Sequence, residues 1–463
     1  MSKSDHVKVL IVGAGIAGLA AAKTLAAHNI DFMLVEAQNY VGGRVYTVEA
    51  VPDIFVDLGA QYILNDSSDI VFQFFDKLKS LTDKKDKVDF FLTSKRERID
   101  AKLVQRVWNS RLEVLAEINE TGTENSLLER YIQRLSSFVD DDALRSTFID
   151  WLLKVVDAGG WSSISDDWRQ SKCSFRPLTN HLLSTIPNNQ IRLNTEVTKV
   201  KYSPGSHMLT AELNHGSDKT ATSSITCDHV IWTTSLGYLK KNFSSIFASE
   251  SDLIDQKQQA ITNLSFCTTN KVILIYENTI DFWPANAADI YLLHDRNAPI
   301  KFNDEQLEFL ATHNVDSKVA QLILNTLFYV APSHEYRVLT CWFGGRAALL
   351  AENISEIVLG RLCHDTLWQY LAGVDKNKRP VHTIRSEWSS NRFMCGSYSS
   401  FLPQTSQVDQ EKLRESFAPD GVPRIMFVGE STHPVFLATV HGAHETGVEA
   451  AQTLIERYNC LHG

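Results

Sequence analysis

The sequence lacks the features that would place it in several large classes of protein. It has seven cysteines in 463 residues and no CxxC pair, and no apolar run reaches the roughly 18 to 20 residues that cross a bilayer. It also lacks a positive charge excess, because 45 Lys and Arg oppose 55 Asp and Glu, a formal net charge of -10. We therefore expect no disulfide framework, no zinc site, no transmembrane helix and no nucleic-acid partner.

Other signatures of common enzymes and sorting signals are missing as well. The chain has no P-loop, no GxSxG sequence, no internal repeat and no low-complexity tract. His441 and His444 stand three residues apart without an evident third ligand, so we predict no metal site. The scattered cysteines and the absence of a peroxisomal or endoplasmic-reticulum retention tail favour a cytoplasmic protein.

The composition itself is that of an ordinary globular protein. Hydrophobic residues make up 44% of the chain and charged residues 22%, which is enough for a full core. At roughly 150 residues per domain, the length suggests two or three domains. Residues 67–156 carry a charged helical pattern that includes the clusters 83–87 and 94–98. Because acids interleave with the basic residues there, the pattern indicates a solvated surface.

The first 37 residues follow the pattern of a dinucleotide-binding fold. A β-branched run at 7–12 leads into a glycine turn at 13–18, an alanine-rich helix follows, and a second strand at 32–35 ends at Glu36. Such a turn brings the backbone and a helix amino terminus to a pyrophosphate, and the acid accepts hydrogen bonds from ribose hydroxyls. The predicted cofactor-binding residues of this segment are Gly13, Ala14, Gly15, Ile16, Ala17, Gly18, Glu36 and Ala37.

Two short elements after this unit extend the same site. A Gly-Gly-Arg turn ends at Arg44, whose guanidinium could reach the pyrophosphate, although a solvated arginine on a surface turn is the alternative. At 57–62, small residues next to an aromatic would let a flat ring lie against the backbone. The residues predicted here to contact the cofactor are Gly43, Arg44, Gly59, Ala60, Gln61 and Tyr62.

With these motifs in this order, the sequence resembles the flavin-containing amine oxidases, and within them the polyamine oxidase branch. The closing segment strengthens the resemblance, because 427–433 and 439–447 are similar to the family's F-A-G-E-x-T and T-x-HGA elements. Trp388 and the Gly-Ser-Tyr-Ser run at 396–399 are similar to two further elements of the branch. The resemblance covers nearly the whole chain and is weaker over 65–190 and 285–335.

The resemblance implies the fold. We expect an α/β and α+β protein with a discontinuous Rossmann-like FAD-binding domain built from 1–75, 190–262 and 390–463. An interwoven substrate domain, a mixed sheet flanked by helices, would take 76–189 and 263–389. The strand character of 191–239 agrees with the second piece of the FAD domain.

The resemblance also implies a noncovalent FAD. Ser397 aligns with the cysteine to which monoamine oxidases attach flavin, although Cys395 is close by. The remaining implied contacts to the cofactor are Val197, Trp388, Gly429, Glu430, Thr439 and Val440. The implied substrate-binding residues are Tyr62, Tyr398 and Thr439.

One lysine stands out on physical grounds. Residues 269–277 alternate as a strand that is apolar on both faces, so Lys271 near its start is costly to bury unless it has a partner. A lysine that snorkels to solvent is the alternative. The resemblance implies that Lys271 is catalytic and holds a water beside the flavin.

The implied reaction is oxidation by O2 of a neutral secondary amine in spermine, spermidine or an acetylated form, giving an aldehyde, a shorter amine and hydrogen peroxide. The acidic net charge agrees with a small cationic polyamine as substrate. Leu64 stands where the branch commonly has His or Glu. Another amine oxidase, an L-amino-acid oxidase, or a flavin-binding protein without turnover are therefore the alternatives. The sequence carries no signal for an oligomeric state.

Overall fold

The computed structural model describes residues 5–64, 66–67, 69–82, 87–121, 126–157, 159, 168–216, 222–295, 299–327, 329–333, 337–400 and 406–462. The strands are β1 (Asp5–Val12), β2 (Phe32–Val35), β3 (Thr47–Val51), β4 (Ile54–Asp57), β5 (Tyr62–Leu64), β6 (Val88–Thr93), β7 (Trp168–Gln170), β8 (Ile191–Arg192), β9 (Thr195–Ser203), β10 (Met208–His215), β11 (Thr222–Trp232), β12 (Ser265–Cys267), β13 (Thr269–Ile275), β14 (Ala287–Leu293), β15 (Tyr329–Ser333), β16 (Val338–Gly344), β17 (His382–Arg385), β18 (Tyr398–Ser400) and β19 (Ile425–Phe427).

The α-helices alternate with these strands. They are α1 (Ile16–Ala27), α2 (Ile70–Lys77), α3 (Ala101–Thr121), α4 (Ser126–Ser136), α5 (Asp142–Asp157), α6 (Arg176–Leu183), α7 (Leu236–Ile246), α8 (Ser251–Asn263), α9 (Asp304–Thr312), α10 (Ser317–Asn325), α11 (Gly345–Ala351), α12 (Glu356–Tyr370), α13 (Gln407–Arg414) and α14 (Val440–His462). Among the residues that the structure describes, two 3-10 helices span Asn188–Gln190 and Glu430–Thr432.

The first sheet has the order β8-β2-β1-β11-β10-β9, and β19 also pairs with β11. Strand β1 runs parallel to both neighbours, with Val12 opposite Val35 on β2 and Trp232 on β11. Its apolar run is buried on both faces, as expected for a parallel strand covered by helices. The carboxyl ends of β1, β2 and β11 therefore meet at one edge, where parallel sheets bind ligands.

Close helix packing at this edge depends on glycine. A Cβ at Gly18 of α1 would lie 1.9 Å from the carbonyl oxygen of Gly13, and one at Gly447 of α14 would lie 2.1 Å from that of Ala17. Both distances are far below van der Waals contact, so only glycine lets α1 approach the turn before it and α14 approach α1.

The second sheet has the order β17-β13-β16-β15-β14-β6. Every residue of β13 is buried, which confirms the predicted burial on both faces. Val272 and Leu274 pack into one core with α9 to α12. Ile273 and Ile275 face a different core, shared with strand β4 and Trp388. This second core joins the second sheet to the two-stranded sheet of β3 and β4.

The charged stretch predicted to be helical is only partly so. Helices α2 to α5 occupy much of 67–156, but 94–98 form a tight turn after β6, so the helical expectation for that cluster is wrong. Thr93 N–H donates to Glu97 O at 3.0 Å, and Arg96 has a left-handed φ of 64°. The local turn overrides the helical charge pattern. Most of the cluster 83–87 lies outside the described residues.

Two interleaved mixed sheets with flanking helices confirm the predicted fold class. Strands of the first sheet come from 5–35, 191–232 and 425–427, and those of the second from 88–93, 269–293 and 329–385. The domain boundaries within this arrangement stay a prediction. All seven cysteines are free thiols, and among the described helices none is long and apolar enough for a membrane span.

Candidate active site

A cavity of about 860 Å³ lies between the two sheets. The glycine turn after β1, the start of α14, and the end of β11 at Trp232 with the residues that follow it border one part of it. Strands β6, β13, β14 and β16 and helix α3 border the other part. The cavity therefore joins a groove on the Rossmann-like sheet to a chamber on the second sheet.

The glycine turn presents bare backbone to this cavity. Gly13 has φ of 102°, which favours glycine, and its N–H donates to Val35 O at 2.8 Å. A Cβ built on Gly15 meets no atom within 4 Å, because the position faces open space. The amide groups at the start of α1 are thus accessible to an anionic group.

Glu36 is fixed at the edge of the same groove. Its carboxylate accepts the N–H of Ala14 at 2.7 Å and that of Gln38 at 2.8 Å. Burial raises the pKa of Glu36, and the backbone hydrogen bonds oppose that rise. A carboxylate held in this way is ready to accept hydrogen bonds from hydroxyl groups.

Arg44 lies in the cavity wall and is not a solvated surface residue. Its Nη1 forms an ion pair with Glu430 at 2.8 Å and donates to Ser397 O at 3.0 Å. Glu430 also accepts from Ser399 Oγ at 3.0 Å and from Ala438 N–H at 3.1 Å. This network joins the Gly-Gly-Arg turn to the closing segment of the chain.

Lys271 is 2% exposed, so it does not snorkel to solvent. Its Nζ donates to two backbone carbonyls, those of Asp57 at 2.8 Å and Gly59 at 2.5 Å, and lies 4.5 Å from the centre of the Trp342 ring. Burial lowers the pKa of Lys271, an effect that the Asp57 carboxylate partly offsets. Burial also raises the pKa of Asp57, and the hydrogen bond that Thr47 Oγ1 donates to its carboxylate at 2.6 Å opposes that rise.

The closing segment brings a second piece of bare backbone to the groove. Gly429 has φ of 136°, and a Cβ there would meet no atom within 4 Å. Thr439 caps α14, because its Oγ1 accepts the N–H of Gly442 at 2.9 Å. Thr439 and Val440 both line the cavity, so the amino terminus of α14 faces it.

The residues at 395–398 turn in different directions. Tyr398 lines the cavity, where its hydroxyl lies 3.2 Å from Thr269 Oγ1, and burial raises its pKa. Ser397 lines it too, whereas the Cys395 thiol donates to Arg392 O at 3.1 Å. The Cys395 thiol is thus bonded to the backbone beside it and is not among the residues that line the cavity.

Nearly all the residues singled out from the sequence meet at this one cavity. Ala14 and Gly18 do not line it. The N–H of Ala14 donates to the Glu36 carboxylate, and Gly18 lets α1 pack against the glycine turn. Leu64, the departure from the branch, is buried beside Trp168 on the paired strand β7. The predicted residues that line the cavity are Gly13, Gly15, Ile16, Ala17, Glu36, Ala37, Gly43, Arg44, Gly59, Ala60, Gln61, Tyr62, Val197, Lys271, Trp388, Tyr398, Gly429, Glu430, Thr439 and Val440.

The chamber wall was missed by sequence reasoning. Two adjacent parallel strands, β6 and β14, each place an acid and an aromatic two residues apart toward the cavity: Asp89 with Phe91, and Asp289 with Tyr291. The two rings stack with centroids 4.4 Å apart. The repeated Asp-x-aromatic pattern is visible in the sequence and could have indicated these two chamber-lining strands. Lys87 lines the same part. The aromatic residues of the cavity are Tyr62, Phe91, Trp108, Trp168, Trp232, Tyr238, Tyr291, Trp342, Trp388, Phe393 and Tyr398.

The groove has the chemistry that a flavin dinucleotide needs. The positions of Gly15 and Gly429 leave the backbone bare, a helix amino terminus and Arg44 suit a pyrophosphate, and Glu36 suits a ribose. The residues present therefore fit FAD.

Comparison with known proteins agrees with this geometry. The chain is 24% identical to a corticosteroid-binding protein of Candida albicans, over 98% of this chain and 97% of that protein. It is 25% identical to the human peroxisomal N(1)-acetyl-spermine/spermidine oxidase, over 97% of this chain and 94% of that protein. A solved structure of a redesigned putrescine oxidase superposes with a TM-score of 0.69 at 18% identity, covering 98% of this chain and 99% of that one.

Two family models match the sequence directly. The NAD(P)-binding Rossmann-like domain matches residues 11–78, where the glycine turn and Glu36 lie. The flavin containing amine oxidoreductase family matches residues 164–455, which include Lys271, Tyr398 and the closing segment. The chain therefore belongs to the flavin-containing amine oxidoreductases, with FAD as its cofactor.

Proposed function

We propose that this protein uses O2 to oxidise a secondary amine of a polyamine, namely spermine, spermidine or an N-acetylated form. Two-electron oxidation gives an imine while O2 is reduced to hydrogen peroxide, and water then hydrolyses the imine to an aldehyde and a shorter amine. FAD, when bound in the groove, would supply the redox chemistry as the hydride acceptor and as the source of electrons for O2. The human relative, whose name gives acetylated polyamines as substrates, supports this proposal.

The observation that carries the proposal is the arrangement of charge in the chamber. Lys271 on β13 and Asp289 on β14 both line it, and the strand order separates them by three strand spacings. At roughly 4.8 Å per spacing, the two strands are about 14 Å apart, and Asp289 lies two residues along β14 from Tyr291, the residue level with Lys271. This span suits an extended polyamine better than a small monoamine.

The chamber's residues have distinct roles in this proposal. Lys271 presents N–H donors and no negative charge, so it gives no stabilisation to an ammonium near it. The reacting nitrogen is therefore favoured in its neutral form, in which the adjacent C–H can give up a hydride. Asp289, which is 5% exposed, and Asp89 attract a distant ammonium group of the same substrate. The aromatic walls exclude water and contact the cationic chain between these ends.

The test is peroxide release from the purified yellow protein with spermine, spermidine, N-acetylspermine, putrescine, benzylamine and L-amino acids. Replacing Asp289 with Asn removes one charged contact, so kcat/KM for spermine should fall about 10- to 100-fold. Asp281→Asn is the matched control, because that carboxylate is 80% exposed. No peroxide from any amine, or peroxide from amino acids only, would overturn the proposal.

A second candidate is a flavoprotein that binds a hydrophobic ligand without oxidising it. The relative named as a corticosteroid-binding protein and the aromatic chamber favour this candidate. Quenching of tryptophan fluorescence by a corticosteroid, together with no peroxide from the amine panel, would support it. Cytoplasmic localisation, for either function, stays a prediction.

A further inference from the structure

A short loop forms part of the cavity's rim. Residues 433–439, called the rim loop here, connect the 3-10 helix Glu430–Thr432 to α14. Leu437, Ala438 and Thr439 of this loop line the cavity. The conformation of the rim loop therefore sets the shape of the groove and chamber at this point.

A single histidine organises the first half of the rim loop. His433 is 6% exposed, and its Nδ1 accepts the N–H of Phe436 at 2.7 Å and that of Val435 at 3.1 Å. An unprotonated Nδ1 is required for both contacts, so the neutral ring carries its proton on Nε2. Nε2 lies 2.7 Å from Glu445 and donates to that carboxylate. The ring also stacks on Phe436, with centroids 5.1 Å apart.

The second half of the rim loop is fastened by other groups. Thr439 Oγ1 donates to Phe436 O at 2.8 Å, and Ala438 N–H donates to Glu430 at 3.1 Å. Val435, between the two halves, is 56% exposed. The loop is thus held at its end by α14 and Glu430, while the fold of its beginning depends on Nδ1 of His433.

We propose that neutral His433 is a positioning residue that holds the rim loop in its cavity-lining conformation, and that protonation of its ring on acidification releases the loop. His433 does not itself line the cavity, so it acts through Leu437 and Ala438. A proton on Nδ1 would point at the N–H groups of Val435 and Phe436, and these two groups would lose their hydrogen-bond acceptor. For catalysis, the inference rests on the proposed amine oxidation.

The groups around His433 oppose one another. On α14, the Glu445 carboxylate favours a charged His433 ring. His441, also on α14, lies on the other side of Phe436, and the ring centroids of Phe436 and His441 are 6.5 Å apart. On α13, the contact is the uncharged amide of Gln410, which donates to His433 O at 2.7 Å. The two backbone N–H groups favour the neutral ring. Protonation therefore exchanges loop contacts for a stronger contact to Glu445.

Two substitutions separate the two ring nitrogens. In His433→Asn, the amide oxygen takes the place of Nδ1, accepts the two N–H groups and cannot be protonated in this range. In His433→Gln, the longer amide reaches toward Glu445 but leaves those N–H groups without their acceptor. His313→Asn, at an exposed histidine after α9, is the matched control.

The first measurement is hydrogen–deuterium exchange of the peptide that covers the rim loop, on the FAD-loaded protein. At about pH 8, wild type and His433→Asn should protect the amides of Val435 and Phe436, and His433→Gln should exchange them about tenfold faster. At a more acidic pH at which the protein stays folded, the protection factor should fall in wild type but not in His433→Asn, because only the imidazole can place a proton on the acceptor atom. The inference would be overturned if wild type protected these amides equally at both pH values, or if His433→Asn lost their protection at the lower pH.

The second measurement is the pH profile of amine oxidation. His433→Gln should raise KM about five- to tenfold with a smaller effect on kcat. In wild type kcat/KM should decrease as the pH is lowered, and in His433→Asn this decrease should be smaller. If no amine is oxidised, the proposed function fails while the exchange result still decides the role of His433. If His433→Gln does not fold, Glu445→Gln replaces it. Because this variant lacks the carboxylate that favours the charged ring, the rim loop should stay protected to lower pH than in wild type. Release of the loop at the same pH as in wild type would contradict the inference.

Discussion

Replacing Lys271 with Met tests whether the buried ammonium serves the reaction or only the fold. Methionine retains an unbranched apolar stem but cannot donate to the carbonyls of Asp57 and Gly59, which Nζ contacts at 2.8 and 2.5 Å. Each charged hydrogen bond contributes about 1.5–3 kcal/mol. Removing a buried ammonium also removes a desolvation cost of several kcal/mol. The two effects oppose each other, so the free energy of unfolding should change by no more than about 2 kcal/mol.

Activity should respond far more than stability, because Lys271 lines the cavity. Losing one oriented donor from a water-excluded site typically costs about 10²- to 10³-fold in kcat. Stopped-flow absorbance of the bound flavin, first with amine under anaerobic conditions and then with O2, shows which half-reaction is slowed. Urea unfolding in parallel measures stability.

Lys257→Met is the matched control for this experiment. Lys257 is also completely buried, and its Nζ donates to a backbone carbonyl, that of Lys412, but it lies outside the cavity lining. We expect it to change stability without changing either half-reaction. If Lys271→Met leaves both half-reactions within about twofold of wild type, the catalytic role of Lys271 is refuted.

Three further predictions concern the cofactor and stability. Gly15→Leu should fold but retain about tenfold less FAD per protein, because its side chain enters open groove space; equal flavin content by absorbance would contradict this. Acid precipitation should release all flavin into the supernatant, because Ser397 replaces the attachment cysteine; flavin that stays with the precipitate would implicate Cys395. Burial lowers the pKa of His294, whose Nε2 donates to Leu327 O, to about 3. The unfolded chain takes up a proton near pH ~6.5, so stability is full above that pH and should fall by up to about 1.4 kcal/mol per unit below it. Urea midpoints of wild type and His294→Gln measure this; equal slopes would contradict it.

The cofactor half of the site was predictable because its contacts are made by backbone. Bare backbone requires glycine at fixed spacing, so the turn at 13–18 can be identified in the sequence, and the structure places Gly13 and Gly15 as that spacing requires. Strand β2 has the predicted bounds, and α1 begins three residues before the predicted helix, at Ile16. Local motifs thus determine this part of the fold.

The chamber half could not be predicted in the same way. It depends on the pairing of β6 with β14, two strands about 200 residues apart in the chain, and on one face of α3. No local motif encodes such a long-range pairing, and the side chains that line the chamber are ordinary aromatics and acids. Asp89 and Asp289 become neighbours only when the sheet has formed: Asp289 N–H lies 3.4 Å from Asp89 Oδ1.

The position of Lys271 explains why the two halves meet where they do. Ile54 and Val56 of β4 pack with Ile273 and Ile275 of β13 in one core. That packing brings the backbone at the end of β4 and just after it close to Lys271, where the carbonyls of Asp57 and Gly59 accept hydrogen bonds from Nζ. The same backbone, at 58–62, lines the groove for FAD. A single hydrophobic core therefore fixes the lysine relative to the cofactor groove, because any shift of β4 on β13 would break both of its hydrogen bonds.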